Sequence, residues 1–530
     1  MTDNTVILAE EESSETRGSS RPGWALVLIC IAQLMVVLDA TIANIALPFI
    51  QKDLDFTAAN LTWVITAYAL FFGGFLLLGG RLGDLYGRRR VFMIGLIVFA
   101  VASLLGGISN SEGTILAARG LQGLGAALAS PAALALITTT FPAGPERNRA
   151  FGVYAAISGV GAAIGLILGG WLTGTDLSLF GADIHGWRLT FLINVPIGIV
   201  AALLAPVLLR ESERHNGGLD VPGAILGTSG LLALVYGLTH SASHGWSDAG
   251  TISWLVGAAA VIAAFFVVES RVSDPLLPFS VFSNRTRGVS FLVMMVVPAA
   301  MFAMFFYLSQ YMQTVMGYAP LKTGFSFLPF PVGIVISATI SSKLIEKIDP
   351  RFLAGIGTAM AGAALLGFSR IPYDTTFPVT SVHASYATDI LPFIFLMALG
   401  MGAVFVPLTL TAVHHLRADE AGIGSGVLNA MQQVGGALGL SILSTVAAHV
   451  MTSTGTDLAA AAAKAGADPT APVPANVMVM LQQQIFAHGS TVAFLVGAGM
   501  ILAASAVIWV FLDVKHTELA TDHPEGVHVG

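Results

Sequence analysis

An aspartate and an arginine stand inside long apolar runs, Asp39 in WALVLICIAQLMVVLDATIANIALP and Arg119 in TILAARGLQGLGAALASPAALAL. A charge in hydrocarbon costs at least about 2.5–3.5 kcal/mol, so an ionisable group there marks function by default. A carboxyl withdrawn from water favours its neutral form, which lets Asp39 take up and release a proton near neutral pH. The structural alternative is an aspartate permanently paired. A guanidinium does not give up its charge, so Arg119 is expected to bias a nearby carboxyl or to bridge helices. Gln122 lies one turn on along the same face. The chemistry is proton carriage and not catalysis: the chain carries no HExxH, no GxxxxGK[ST] phosphate loop and no Cys/His cluster. A membrane-bound enzyme or sensor, an ATP-driven pump in one chain, a metal site and a cofactor are therefore not expected.

The elements that must hold these groups are membrane helices. Only 10% of the 530 residues are charged and 55% are hydrophobic, against roughly 25% charged in soluble domains. A helix needs about 20 mostly apolar residues to cross the hydrocarbon. That ruler finds fourteen runs, near 24–47, 61–80, 91–108, 115–139, 150–172, 188–209, 221–239, 251–269, 287–313, 323–342, 351–369, 390–413, 422–448 and 490–512. Residues 1–23 carry Asp3, Glu10, Glu11, Glu12 and Glu15 against Arg17 and Arg21; they read as a disordered cytoplasmic tail and not as the basic start of a secretory signal. The stretch 449–489, rich in Ala, Thr and Pro, reads as an extended outer loop with room for a short surface helix. With the N-terminus inside, eighteen Lys and Arg fall on inner segments and five on outer ones, the positive-inside bias of a protein in the inner (cell) membrane with both termini cytoplasmic. Asp39 lies fifteen residues beyond Trp24, roughly 22 Å along a helix, which places it in the outer half of the membrane. His414 and His415 fall at a cytoplasmic helix end and read as boundary residues. The lone Cys30 rules out an intrachain disulfide.

Charge is concentrated in GGRLGDLYGRRR, Gly79 to Arg90, between the second and third runs. Set beside SSKLIEKIDPRF, Ser341 to Phe352, an offset of 262 aligns Arg81 with Lys343, Asp84 with Glu346 and Arg89 with Arg351. GLGAAL at 123–128 likewise echoes GMGAVF at 400–405. Weak symmetry between halves is a signature of transporter folds. Two halves of six runs leave a surplus pair, 221–239 and 251–269, which carries no charge before its last residue, Glu269, and is expected at the periphery. The divisions are then 24–209 for the first six-helix bundle, 210–286 for a linker with two extra helices, 287–513 for the second bundle and 514–530 for a cytoplasmic tail.

These residues resemble a known family. Gly80-x-Leu82-x-Asp84-x-x-Gly87-Arg88-Arg89, LDATIANIALP at 38–48, Arg119-x-x-Gln122-Gly123-x-Gly125 and GWRLTFLINVPIG at 186–198 are similar to motifs of the fourteen-span drug:proton antiporters of the major facilitator superfamily. The resemblance covers nearly the whole chain. It implies an all-α integral membrane protein of the major facilitator fold, two six-helix bundles plus two extra central helices. It also implies export of small amphipathic organic compounds in exchange for protons by alternating access, with no nucleic-acid partner. Asp39 and Arg119 would couple the proton. Asp84 would cap or pair with neighbouring helix ends, so that Gly80, Asp84, Gly87, Arg88 and the second-half counterpart Glu346 form a latch. Gly161, Gly165, Gly169 and Gly170 keep the glycines of the fifth-span antiporter motif, but Leu166 stands where its proline is expected. A proton-coupled uptake symporter on the same fold therefore remains the alternative.

The substrate pocket is sought among polar and adaptable side chains. The ninth run, Met294 to Tyr318, supplies methionines and aromatics that repack around varied ligands. Gln122, Tyr307, Gln310, Tyr311, Asn429, Gln432 and Gln433 are the candidate polar contacts.

Overall fold

The computed structural model describes residues 22–521 apart from 142–144, 180–181, 212–217, 219, 274, 278, 283, 377, 379–383, 414–420 and 466–472. His414, His415 and most of both tails lie outside the described residues. The first half comprises α1 (Pro22–Asp53), the single turn α2 (Ala58–Leu61), α3 (Trp63–Tyr86), α4 (Arg88–Gly107), α5 (Glu112–Thr140), α6 (Pro145–Thr173) and the broken pair α7 (Gly186–Leu192) and α8 (Asn194–Leu208). A short antiparallel hairpin, β1 (Leu177–Leu179) and β2 (Ala182–Ile184), joins α6 to α7 with Ser178 opposite Asp183. Then come α9 (Val221–His244) and α10 (Ala249–Glu269). The second half holds α11 (Arg285–Gln310), extended by a π turn to Val315, the broken pair α12 (Pro320–Ser326) and α13 (Pro329–Leu344), α14 (Pro350–Phe368), α15 (Leu391–Val413), α16 (Ala421–Lys464) and α17 (Ala475–Phe511), followed by α18 (His516–Thr521). Taking the broken pairs as single spans, thirteen helices among the described residues are long and apolar enough to cross a membrane. The 29-residue α6 completes the fourteen.

Local chemistry sets the ends of these helices. Ser111 and Thr114 form a reciprocal capping box at the start of α5, and Asp220, Asp248 and Asn284 cap α9, α10 and α11. Gly87, at φ 102°, turns the chain between α3 and α4 in a conformation closed to most side chains. The expected loop over 449–489 is corrected: α16 runs on to Lys464 and α17 begins at Ala475. DLAAAAAK is strongly helix-forming although too polar to read as a span. The two extensions also support each other, through Thr454 Oγ1 with His488 Nδ1 at 2.8 Å and Gly489 against Met451.

Within the first half α5 packs on α3 and α4, and α1 on α6 and α8; in the second, α15 packs on α13 and α14, and α16 on α11 and α17. Small residues permit the close approaches. Gly123 lies on the α3 backbone and Gly125 on Gly95 and Phe99 of α4, whereas Gly400 lies on Gly357 and Ala361 of α14 and Gly402 on Ser337 and Ala338 of α13. The echo in sequence thus marks equivalent helices, with the two glycines exchanging neighbours.

The halves meet along α3 and α16, where Gly73 receives Gln433 and Gly426 faces Leu77. The surplus pair divides its roles. Mostly exposed, α10 packs on α9 alone among the major contacts, while α9 fills the seam between the halves. On α9, Thr239 Oγ1 accepts from Trp63 Nε1 at 3.3 Å and the Leu238 carbonyl accepts from Thr445 Oγ1 at 3.0 Å, tying one helix to both halves.

Candidate functional site: a buried ion pair in the first half

Five helices converge on Asp39. Because α1 continues past position 47 to Asp53, Asp39 sits close to its middle, just past the midpoint toward the Asp53 end: roughly 26 Å from Pro22 and 21 Å from Asp53. From α5, Arg119 Nη1 donates to Asp39 Oδ2 at 2.5 Å and to Gln122 Oε1 at 3.0 Å, while its Nε donates to the Val64 carbonyl of α3 at 2.6 Å. The guanidinium lies over the Tyr68 ring, 4.5 Å from its centroid. Gln122 Nε2 donates to Asp39 Oδ1 at 2.9 Å and to Ser103 Oγ of α4 at 2.8 Å. From α8, Asn194 Nδ2 donates to Asp39 Oδ1 at 3.1 Å. Asp39 is 3% exposed and Arg119, Gln122 and Asn194 are 0% exposed. The Asp39 carboxylate thus receives three donors, one of them cationic. Removing either member of such a buried pair leaves an uncompensated charge, at about 3–5 kcal/mol.

Sequence spacing alone does not single out Asn194, Ser103 and Tyr68. The signal for Asn194 is its break position. Pro196 has no N–H to offer the Leu192 carbonyl four residues back, so the helix interrupts at Ile193 and a new one begins at Asn194. An amide inside an apolar span then has to find a partner, and it finds Asp39.

At the arginine-rich turn Asp84 Oδ1 accepts from Arg88 Nη2 at 3.1 Å, and Arg88 Nη1 reaches the Ala135 carbonyl of α5 at 3.4 Å. The acid that caps α4 is not Asp84 but Glu211, which accepts from Arg89 N at 3.0 Å and sits near the Arg89 and Arg90 side chains. Gly87 is pressed against Glu211, and Gly80 makes only ordinary contact with Pro131. The internal repeat has a structural meaning here. Arg89 Nη1 donates to the Leu209 carbonyl at the end of α8 at 3.2 Å, and its counterpart Arg351 donates to the Trp509 carbonyl near the end of α17. Each half thus fastens the start of its third span to the unsatisfied carbonyls ending its sixth. Glu346 is exposed and unpaired among the described residues. Its neighbour Asp349 takes the acidic role, accepting from His516 N at 2.8 Å with His516 Nδ1 at 2.7 Å. The His516 backbone N–H, and then its ring, hold the Asp349 carboxyl below the usual aspartate range.

The fifth-span glycines serve two surfaces. Gly161, Gly165 and Gly169 seat α6 on Leu34, Thr41 and Ile42 of α1, inside the first half. Gly170 faces Pro320 and Leu321 of α12, and the Leu166 carbonyl faces Gly324, so these two positions touch the second half. Nearby, Ser309 Oγ donates to the Asn44 carbonyl at 2.9 Å and Gln313 Nε2 to the Ile45 carbonyl at 3.1 Å.

The polar set expected of a pocket is not brought together. Gln122 is consumed by the Asp39 cluster. Tyr307 is packed among Phe306, Phe486 and Phe494 with its hydroxyl on Ser444 at 3.2 Å; Gln310 bonds its own helix, and Tyr311 reaches the Pro372 carbonyl. Gln432 and Gln433 are half-buried on α16, and Asn429 is exposed.

The family model of the Major Facilitator Superfamily matches residues 29–440. The chain is 42% identical over 516 residues to the puromycin resistance protein pur8 of Streptomyces alboniger, covering 96% of this chain and 95% of that protein. It is 36% identical over 447 residues to the cephamycin export protein CmcT of Amycolatopsis lactamdurans, covering 83% and 88%. Its fold is similar to that of a bacterial homologue of the human lysosomal transporter Spinster in an inward-facing and occupied conformation, with a TM-score of 0.65, 17% identity and coverage of 93% and 97%. Fourteen spans, two halves of six and a pair between them, the first-span and fourth-span motifs meeting at one ion pair, and full-length likeness to resistance and export proteins place the chain in the major facilitator superfamily, in its family of fourteen-span drug:proton antiporters.

Proposed function

We propose that the protein is a secondary active exporter of amphipathic organic compounds of the antibiotic type, driven by protons moving the opposite way, with Asp39 as the proton carrier. The observation that carries this reading is the buried pair of Asp39 and Arg119 in the middle of α1. Charged Asp39 and Arg119 satisfy each other in this conformer. A proton arriving at Asp39 removes the anion and leaves a buried guanidinium short of its partner, which is costly. Proton uptake therefore favours a conformer in which Arg119 meets water or another acceptor. Coupling is the difference in affinity of the proton and of the substrate for the two conformers. The relatives whose names speak of resistance to or export of puromycin, cephamycin, tetracenomycin and lincomycin support the substrate class and the outward direction. The positive-inside bias supports a cytoplasmic location for the arginine-rich turn and for both termini in the cell membrane.

The test is Asp39→Asn in inside-out vesicles, at an abundance matched to the native protein. The asparagine mimics the protonated acid, so the variant is expected to insert and to lose substrate uptake driven by an acid lumen. Vesicles of the variant that still accumulate a fluorescent substrate, and still release protons when substrate is added, would move the proton to another residue.

A further inference from the structure

Two buried groups of the cluster have incomplete bonding: the Tyr68 hydroxyl, under Arg119, and the Asn194 amide, which is bonded directly to the carboxylate. Asn194 Oδ1 is fully buried and has no hydrogen-bond partner, although the Nδ2 of the same amide is bonded to Asp39 Oδ1 at 3.1 Å. Gln122, the other amide on that carboxylate, is pinned at both ends: its Oε1 accepts from Arg119, and its Nε2 is shared between Asp39 and Ser103. Ser103 in turn donates to the Phe99 carbonyl at 2.7 Å. Gln122 cannot turn over without breaking bonds at both ends. Asn194 can, because turning it breaks one bond and brings an idle acceptor to the same place.

We infer that Asn194 is a reversible amide switch for Asp39, donating to the carboxylate and accepting from the acid. This rests on the reading of Asp39 as the proton carrier. When a proton adds to Asp39 Oδ1, the Nδ2–H bond from Asn194 breaks, the amide turns over about its last torsion, and the new Asp39 O–H donates to Asn194 Oδ1. No other bond of the Asn194 amide is made or broken, and release of the proton reverses each change. An unpaired buried acceptor is otherwise expensive, and here its idleness in the charged state is what leaves a bond waiting for the neutral one. The charged and titratable groups around Asp39 fit this assignment. Arg119 of α5 is bonded to Oδ2, away from the Asn194 side, and Tyr68 of α3, whose buried hydroxyl has no partner, lies under that guanidinium. On the other neighbouring elements, Tyr154 of α6 is turned to Gln33 and Arg188 of α7 to Ser109 and Asp53. Lys322 of α12 covers Tyr318, and Arg285 of α11 covers Phe511. Asn194 is a positioning residue: it acts through Asp39.

The experiment is difference infrared spectroscopy of the full chain in lipid vesicles across a pH titration, with substrate-induced proton release measured in parallel. The carbonyl band of protonated Asp39 is identified by its loss in Asp39→Asn. In Asn194→Leu that band is expected to shift to higher frequency, because the acid has lost its acceptor. The midpoint of proton release is expected to move by less than about one pH unit, because leucine removes one bond from each protonation state. A band that stays in place overturns the switch. A midpoint raised by more than about one unit with an unmoved band would make Asn194 a fixed donor to the carboxylate, which overturns it too. If Asn194→Leu does not reach the membrane, Asn194→Ala removes the same two bonds with less bulk and is read the same way. If Asp39→Asn loses no carboxyl band, the carrier assignment itself fails, a result distinct from an Asp39 band that is present but does not move.

Discussion

At the residue scale, the arginine matters for its shape as well as its charge. Arg119 uses Nε on Val64, Nη1 on Asp39 and Gln122, and the face of the guanidinium on Tyr68. A lysine is a point charge on a flexible stem and cannot hold a fork of bonds and a stacking contact at once. Arg119→Lys keeps the charge balance of the pair and loses that geometry. Each hydrogen bond to a charged group contributes about 1.5–3 kcal/mol, so at least about a tenfold fall in proton-driven transport is expected at matched abundance. Uptake measured in inside-out vesicles checks it, and a native rate would reduce Arg119 to a counter-charge.

At the element scale, the turn between α3 and α4 is where backbone geometry and charge meet. Gly87 combines a φ of 102° with Glu211 packed where a side chain would begin. Gly83, four residues earlier, would meet only Arg88, at ordinary van der Waals distance. Gly87→Ala is therefore expected to destabilise the protein by about 1–3 kcal/mol, because strain and displacement of the α4 cap act together. Gly83→Ala should be close to neutral. Thermal unfolding of the two variants in detergent separates them, and equal midpoints would show that the cap on α4 does not depend on this turn. The same logic explains why Asp84 alone does not make a latch. Asp84 bonds to Arg88, one turn away, whereas Glu211 joins the start of α4 to the residues after α8. Rocking of the first half as a body would carry this junction intact.

At the scale of the whole molecule, three kinds of contact join the halves. There is the α3–α16 seam, the α9 helix laid over it, and the approach of α1 and α6 to α11 and α12. This last approach lies at the Asp53 end of α1, where Asn44, Ile45, Gly170 and Leu166 touch Ser309, Gln313, Leu321 and Gly324. Among the described residues, backbone carbonyls and glycines close that end without salt bridges, which suits a contact that has to part in every cycle. Which end faces the cytoplasm is settled by labelling. Ser453 on the α16 extension and Lys347 in the turn after α13 are both exposed, and Cys30 is buried. In a Cys30→Ala background, Ser453→Cys should react with an impermeant thiol reagent added to whole cells, and Lys347→Cys should react only after the membrane is opened. Equal labelling of both from outside would break the fourteen-span arrangement.

The number of spans, the sorting of positive charge and the two groups that had to find each other in the membrane were all legible in the chain. Insertion is a segment-by-segment free-energy decision, and a charge in hydrocarbon has so few solutions that Asp39 and Arg119 announce themselves. The internal repeat was legible too, and it led to Arg89 and Arg351, which make equivalent bonds in the two halves. The ends of α16 and α17 were not, because helix propensity continues where hydropathy stops. Nor were the partners that complete the site. Asn194 is 155 positions from Asp39, and Glu211 is 122 from Arg89. The direction in which Tyr307, Gln310 and Tyr311 point was equally hidden, since a helix apolar all round has no polar stripe to mark its inner face. Those assignments belong to the packing of whole helices against one another, which only the tertiary structure decides.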